Sequence, residues 1–129
     1  GKGARVLVVD EDPLVREMLS AMLEAVELAV VAVASAEEAL ERVRGAAFHL
    51  VVLDWHLPKM TGIELCRTLR QEPGLCDLPV LFLTANASSQ DMLHAFACGA
   101  DDYMVKPFRA PELRARLFSL LRRAGRGAS

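Results

Sequence analysis

The chain has 129 residues, 53% of them hydrophobic and 25% charged, with a formal net charge of −2. That length suits one domain burying roughly two thirds of its unfolded surface, and the near-neutral balance gives no general attraction to nucleic acid or anionic membrane. The longest apolar run, residues 28–34, is far too short to span a bilayer, and Cys66, Cys76 and Cys98 form neither a metal motif nor a disulfide framework, so they read as cytosolic thiols.

No signal peptide is visible, and a chain starting at Gly1 reads as an excised or processed piece with flanking domains elsewhere. RVLVV at 5–9 is a short apolar run ending in Asp10, Glu11 and Asp12, a buried strand closed by acid. Asp12 followed by Pro13 predicts an N-cap with proline at the first helical position. Leu14, Val15, Met18, Leu19, Met22, Leu23 and Val26 then recur at helical spacing, with Arg16, Glu17 and Glu24 opposite. Residues 28–34 predict a second strand, although 25–28 supply no glycine for the turn before it. Ser35 and Glu38 form a capping box opening a helix that reaches about Arg44 and stops at Gly45.

The run Phe48, Leu50, Val51, Val52, Leu53 ends abruptly on Asp54. Such a run predicts a central parallel strand buried on both faces, and Pro58 and Gly62 mark the loop after it. Ile63, Leu65, Cys66 and Leu69 give one face of a third helix, stopped by Glu72, Pro73 and Gly74. VLFL at 80–83 is a fourth strand ending at Thr84; Ser88 or Ser89 caps a fourth helix carrying Met92, Leu93 and Phe96 and closed by Gly99. Residues 101–105 are a weaker fifth strand ending at Lys106, and Pro107 stops its ladder. Pro111 starts a last amphipathic helix with Leu113, Leu117, Leu120 and Leu121 inward; residues 122–129 lose the apolar pattern. We expect a domain over 4–123 and a linker or frayed tail over 124–129. Five strands alternating with five helices predict an α/β fold: a parallel sheet with right-handed crossovers and helices on both faces.

In a parallel sheet the strand ends share one edge, where ligands bind. Asp10, Glu11, Asp54, Thr84 and Lys106 all follow strands and should therefore converge. Two unit charges about 4 Å apart interact by roughly 4 kcal/mol at an effective dielectric near 20, so three acids together call for a cation. Mg²⁺ favours a few carboxylates, water and a phosphate oxygen. With a hydroxyl from Thr84 and an ammonium from Lys106, the Asp54 carboxylate is equipped as a nucleophile that accepts a phosphoryl group.

Four fragments carry a family resemblance: VVDED at 8–12, LDWHLPKMTG at 53–62, LTA at 83–85 and YMVKPF at 103–108. Together, in order and each at a strand end, they resemble the receiver domain of two-component response regulators, of the chemotaxis-regulator type. The resemblance implies a flavodoxin-like doubly wound sheet of strand order 2-1-3-4-5. It implies Asp54 as phosphoacceptor, and Mg²⁺ (or Mn²⁺) held by Glu11 directly, Asp10 through water, Asp54, and the backbone carbonyl of His56. Thr84 and Lys106 would grip the phosphoryl oxygens, Tyr103 would act as an aromatic switch, and the 106–107 peptide would be cis. The implied partners are a sensor histidine kinase or histidine phosphotransfer protein and, through the face of the fourth helix, fifth strand and fifth helix, an output domain or target protein. The implied location is cytoplasmic; a phosphorylation-dependent dimer is admitted without support. Glu11 stands where many members have Asp, and His56 and Asn86 occupy positions that tune acyl-phosphate lifetime.

Blander readings stand beside these. Asp12 is a helix-start acid. Tyr103 on an edge strand can be packing alone, and His56 reads first as a solvated loop side chain. Trp55 is a half-exposed apolar cover, and Arg114, Arg116, Arg122 and Arg123 a solvated face. Two other functions compete. A receiver-like interaction module that is never phosphorylated predicts gaps in the acidic set or loss of Lys106, and neither is seen. A phosphohydrolase of the haloacid-dehalogenase type needs a carboxylate two residues after its nucleophile, where His56 stands. No glycine-rich P-loop is present. The domain catalyses its own phosphotransfer and dephosphorylation on this reading, without turnover on external substrates.

Overall fold

The structure, a computed structural model, describes residues 3–85 and 88–128, without the side chains of 89, 91 and 124–128. Strands and helices alternate throughout: β1 Arg5–Val9, α1 Pro13–Glu24, β2 Ala29–Val33, α2 Ala36–Gly45, β3 Leu50–Asp54, α3 Gly62–Gln71, β4 Val80–Thr84, α4 Ser89–Ala97, β5 Asp102–Val105 and α5 Ala110–Ala128. The strands form one sheet in the order β2-β1-β3-β4-β5, and every pairing is parallel.

The period of two along each strand divides the interior into two cores. Leu7, Val9, Val51, Leu53, Val80 and Phe82 face α2, α3 and α4. Val6, Val8, Leu50, Val52, Leu81 and Leu83 face α1 and α5, meeting Leu19, Leu23, Leu113 and Leu117. β3 and β4 are buried along their whole length, as apolar runs without alternation require. Ala95 of α4 is buried, as is Cys98 just past its end, while Leu93 and Phe96 are exposed.

Helix starts follow the caps. Asp12 accepts from the Leu14 amide ahead of Pro13, and Ser35 accepts from the Glu38 amide. The Glu38 carboxylate returns to the amide of Ala34 rather than that of Ser35. At α3 a full capping box joins Thr61 and Glu64, so the helix starts inside the stretch that Pro58 and Gly62 mark as a loop. Two ends depart from the glycine rule. α2 includes Gly45 and closes on Ala46 in an extended conformation, and the turn into β2 is made by Glu27 at φ 66, a left-handed conformation taken without glycine. α5 continues as helix to Ala128, past the point where its apolar pattern stops. Among the described residues no helix is long and apolar enough to cross a membrane.

Candidate functional site

The sheet register brings the predicted residues to one rim. Val9 lies opposite Leu53, so Asp10 emerges level with Asp54; Asp54 is opposite Leu83, and Thr84 is opposite Val105, one residue before Lys106. Asp10, Asp54 and Thr84 are the buried polar residues at these ends, with 2%, 9% and 3% of their surface exposed. The Lys106 ammonium lies 3.0 Å from Asp10 Oδ2 and 3.6 Å from Asp54 Oδ1, across 96 residues of sequence in the first case. It is placed there by its own amide, which donates to the Thr84 carbonyl at 2.7 Å, and is followed by a cis peptide to Pro107.

Each carboxylate is partly served. Asp10 Oδ1 accepts from the Asp12 amide at 2.9 Å, and the His56 amide reaches Asp54 Oδ1 at 3.4 Å. Burial pushes the Asp54 carboxyl above its usual range, repulsion from Asp10 adds to this, and Lys106 and the His56 amide offset part of it. One ammonium between two buried carboxylates leaves this rim with excess negative charge. Glu11, by contrast, is exposed, and among the described residues no three His, Cys, Asp or Glu side chains are grouped to hold a metal ion. A third carboxylate packed against the first two would add Coulomb repulsion that water around Glu11 avoids.

The floor of the site is tight. The Trp55 ring, on the residue after Asp54, packs on Phe82 with centroids 5.3 Å apart. A side chain at Gly62 would meet the Asp54 carbonyl oxygen at 2.5 Å and Phe82 at 2.9 Å, so this glycine, the first residue of α3 and not part of the loop, serves close packing against the Asp54 backbone. Nothing in the motif spacing signals that approach. Tyr103 is half-buried; its hydroxyl donates to the Met92 sulfur at 2.8 Å and its ring meets the edge of Phe96 at 5.8 Å. Arg116 is not simply solvated: it pairs with both oxygens of Asp102 at 2.9 Å. Asn86 lies outside the described residues. A cavity of about 750 Å³ opens at the opposite rim, lined by Phe48, Leu75, Leu78 and Leu121, and none of the predicted site residues borders it.

Residues 6–118 match the family model described as the response regulator receiver domain. The chain belongs to this family. It is similar to the phosphate regulon transcriptional regulatory protein PhoB of Rhizobium meliloti, with 42% identity over 120 residues, 93% of this chain and 53% of that protein. The chain thus spans about half the length of the regulators it matches in sequence. Among solved structures it resembles the chemotaxis response regulator CheY4 of Vibrio cholerae, 31% identical, with a TM-score of 0.88 over 92% of this chain and 99% of that one. It also resembles the receiver domain of sensor histidine kinase PA1611 from Pseudomonas aeruginosa, 28% identical, with a TM-score of 0.86 over 92% and 98%; that receiver has a magnesium ion coordinated in its active site cleft. The flavodoxin-like order 2-1-3-4-5 is the receiver fold, and the chain is a receiver of the two-component response regulator type.

The donors at this receiver's rim fit such an ion. Asp10 and Asp54 present hard carboxylate oxygens whose mutual repulsion a divalent cation relieves, and among the described residues their hydrogen bonds and ion pairs involve no soft ligand.

Proposed function

We propose that this receiver accepts a phosphoryl group on Asp54 from a histidine kinase or histidine phosphotransfer protein, in a reaction dependent on Mg²⁺ or Mn²⁺. The observation that carries the proposal is the Lys106 ammonium bridging two buried strand-end carboxylates, Asp10 and Asp54. An Asp54 carboxylate oxygen forms the new bond to phosphorus as the bond from phosphorus to the donor imidazole nitrogen breaks; that nitrogen keeps the electron pair. The product is an acyl phosphate. A cation held by Glu11, Asp10, Asp54 and the His56 carbonyl would supply charge neutralisation for the phosphoryl oxygens.

The chain's own residues do the rest. Lys106 is already beside Asp54 and follows the added charge, exchanging part of its pairing with Asp10 for a phosphoryl oxygen. The Thr84 hydroxyl, at the end of β4, donates to another. As Thr84 moves in, Tyr103 leaves Met92 and Phe96 and turns inward, which alters the α4-β5-α5 face offered to an output domain or target. The exposed side chains of Leu93, Phe96 and Val105 lie on this face. The working unit is residues 4–123, with 124–129 as a linker or tail, and its place is the cytoplasm. DNA contact and dimerisation are not assigned to it.

Acetyl phosphate with Mg²⁺ is expected to add one phosphoryl group, read by intact mass, and Asp54→Asn to abolish it. No adduct on the wild-type protein would favour the alternative, a receiver-like interaction module that works without phosphorylation.

A further inference from the structure

We infer that Arg16 is a positioning residue for the acid loop; the inference rests on the phosphoacceptor reading above. Asp10 and Glu11 lie between the end of β1 at Val9 and the start of α1 at Pro13. Their carbonyls therefore fall outside both the sheet ladder and the helix ladder. Arg16, from the first turns of α1, reaches back to them: its Nη1 donates to the Asp10 carbonyl at 2.8 Å and to the Glu11 carbonyl at 2.9 Å.

Peptide planarity carries this grip to the acid itself. The Glu11 carbonyl and the Asp12 amide belong to one trans peptide and point in opposite directions. With the oxygen held by Arg16, the Asp12 N–H is aimed at Asp10 Oδ1, where it donates at 2.9 Å. The other oxygen, Oδ2, faces Lys106 at 3.0 Å. Asp10 is thus fixed through its carbonyl, through one carboxylate oxygen by the plane Arg16 sets, and through the other by Lys106. The same two pinned carbonyls bracket the Cα of Glu11 and limit where its exposed side chain can swing. A cation site completed by Glu11 depends on that limit, because no set of three acids is already grouped among the described residues. Support of this kind behind metal-binding groups tunes affinity strongly.

The test is the Mg²⁺ dissociation constant, read from Trp55 fluorescence well below the melting temperature, for wild type, Arg16→Met and Arg16→Lys. The amide signals of Glu11 and Asp12 are followed by NMR in the same samples. Arg16→Met is expected to weaken Mg²⁺ binding about tenfold, with broadened Glu11 and Asp12 amides and unchanged signals from β3 and β4. Arg16→Lys, which keeps a cationic donor on a shorter reach, is expected to fall between. A folded Arg16→Met with wild-type affinity overturns the inference while leaving the phosphoacceptor reading intact. A wild-type protein without any Mg²⁺ response overturns both. If Arg16→Met does not fold, Arg16→Gln takes its place, and unchanged affinity there is equally decisive.

Discussion

The Asp54 carboxylate is held against its own solvation, and that has a measurable consequence. Its folded-state pKa is raised, first by burial and then by Asp10. A raised carboxyl binds its proton in the folded state at pH values where the unfolded chain has released it. Stability therefore falls as pH rises through the window above the ordinary aspartate value of about 4, and the penalty stays constant once the folded group has ionised. Asp54→Asn removes that penalty. In the absence of divalent cations it is expected to be more stable than wild type at pH 7 by about 1 kcal/mol, the lower end for burying a polar group, with the margin closing below about pH 4. Urea unfolding across pH checks this; a margin that grows in acid would contradict it. Added Mg²⁺ is expected to favour the wild type, because a ligand stabilises the form it binds. Asp10, Asp54, Thr84 and Lys106 were legible at this scale because each terminates an apolar run, so a parallel sheet must bring them to one rim. Arg16 was not. A helix side chain reaching back to two carbonyls has no spacing signature, and at its position it reads as one more solvated arginine opposite the apolar stripe.

Between elements, Arg70 of α3 makes an extended polar tie outside the rim. It donates to the Leu78 carbonyl at 2.7 Å, to the Gly99 carbonyl at 2.7 and 3.0 Å, and to Asp101 at 3.0 Å, while Asp101 also accepts from the Val80 amide at 2.8 Å. One side chain thus fastens α3 to the entry of β4 and to the turn from α4 into β5. Gly99 takes φ +100 there, with the Arg70 side chain within 3.2 Å of where a Cβ would stand, so both its conformation and its neighbour demand glycine. Arg70→Met keeps the aliphatic stem and leaves these acceptors short. It is expected to cost about 2 kcal/mol, as charge-assisted hydrogen bonds to part-buried groups do. A fall in the urea midpoint at unchanged slope is the expected result; an unchanged midpoint would show that water replaces the tie. Helices were readable from their apolar spacing, and strands from short apolar runs closed by polar or turn residues. Their ends were less so: Thr61 and Glu64 carry the same capping pattern as Ser35 and Glu38, but the proline and glycine around them read as loop. Glu27 shows the opposite case, a tight turn whose left-handed residue is not glycine, for which the surrounding contacts must compensate.

At the scale of the whole molecule, the sheet separates construction from function. Two apolar cores, one under α1 and α5 and one under α2, α3 and α4, hold five parallel strands in register, and the register alone carries the acids and the lysine to a common edge. Strand order was not derivable from alternation of elements; only the likeness to receivers implied it. The chain matches the receiver model over residues 6–118 and about half the length of regulators such as PhoB. On the function proposed above, this edge serves to place a phosphoryl group on one carboxylate. Borohydride trapping of the acyl phosphate after treatment with acetyl phosphate and Mg²⁺, followed by peptide mapping, locates the modified side chain. A single modified residue, Asp54, is expected; modification at another carboxylate of the wild-type protein would contradict the phosphoacceptor assignment.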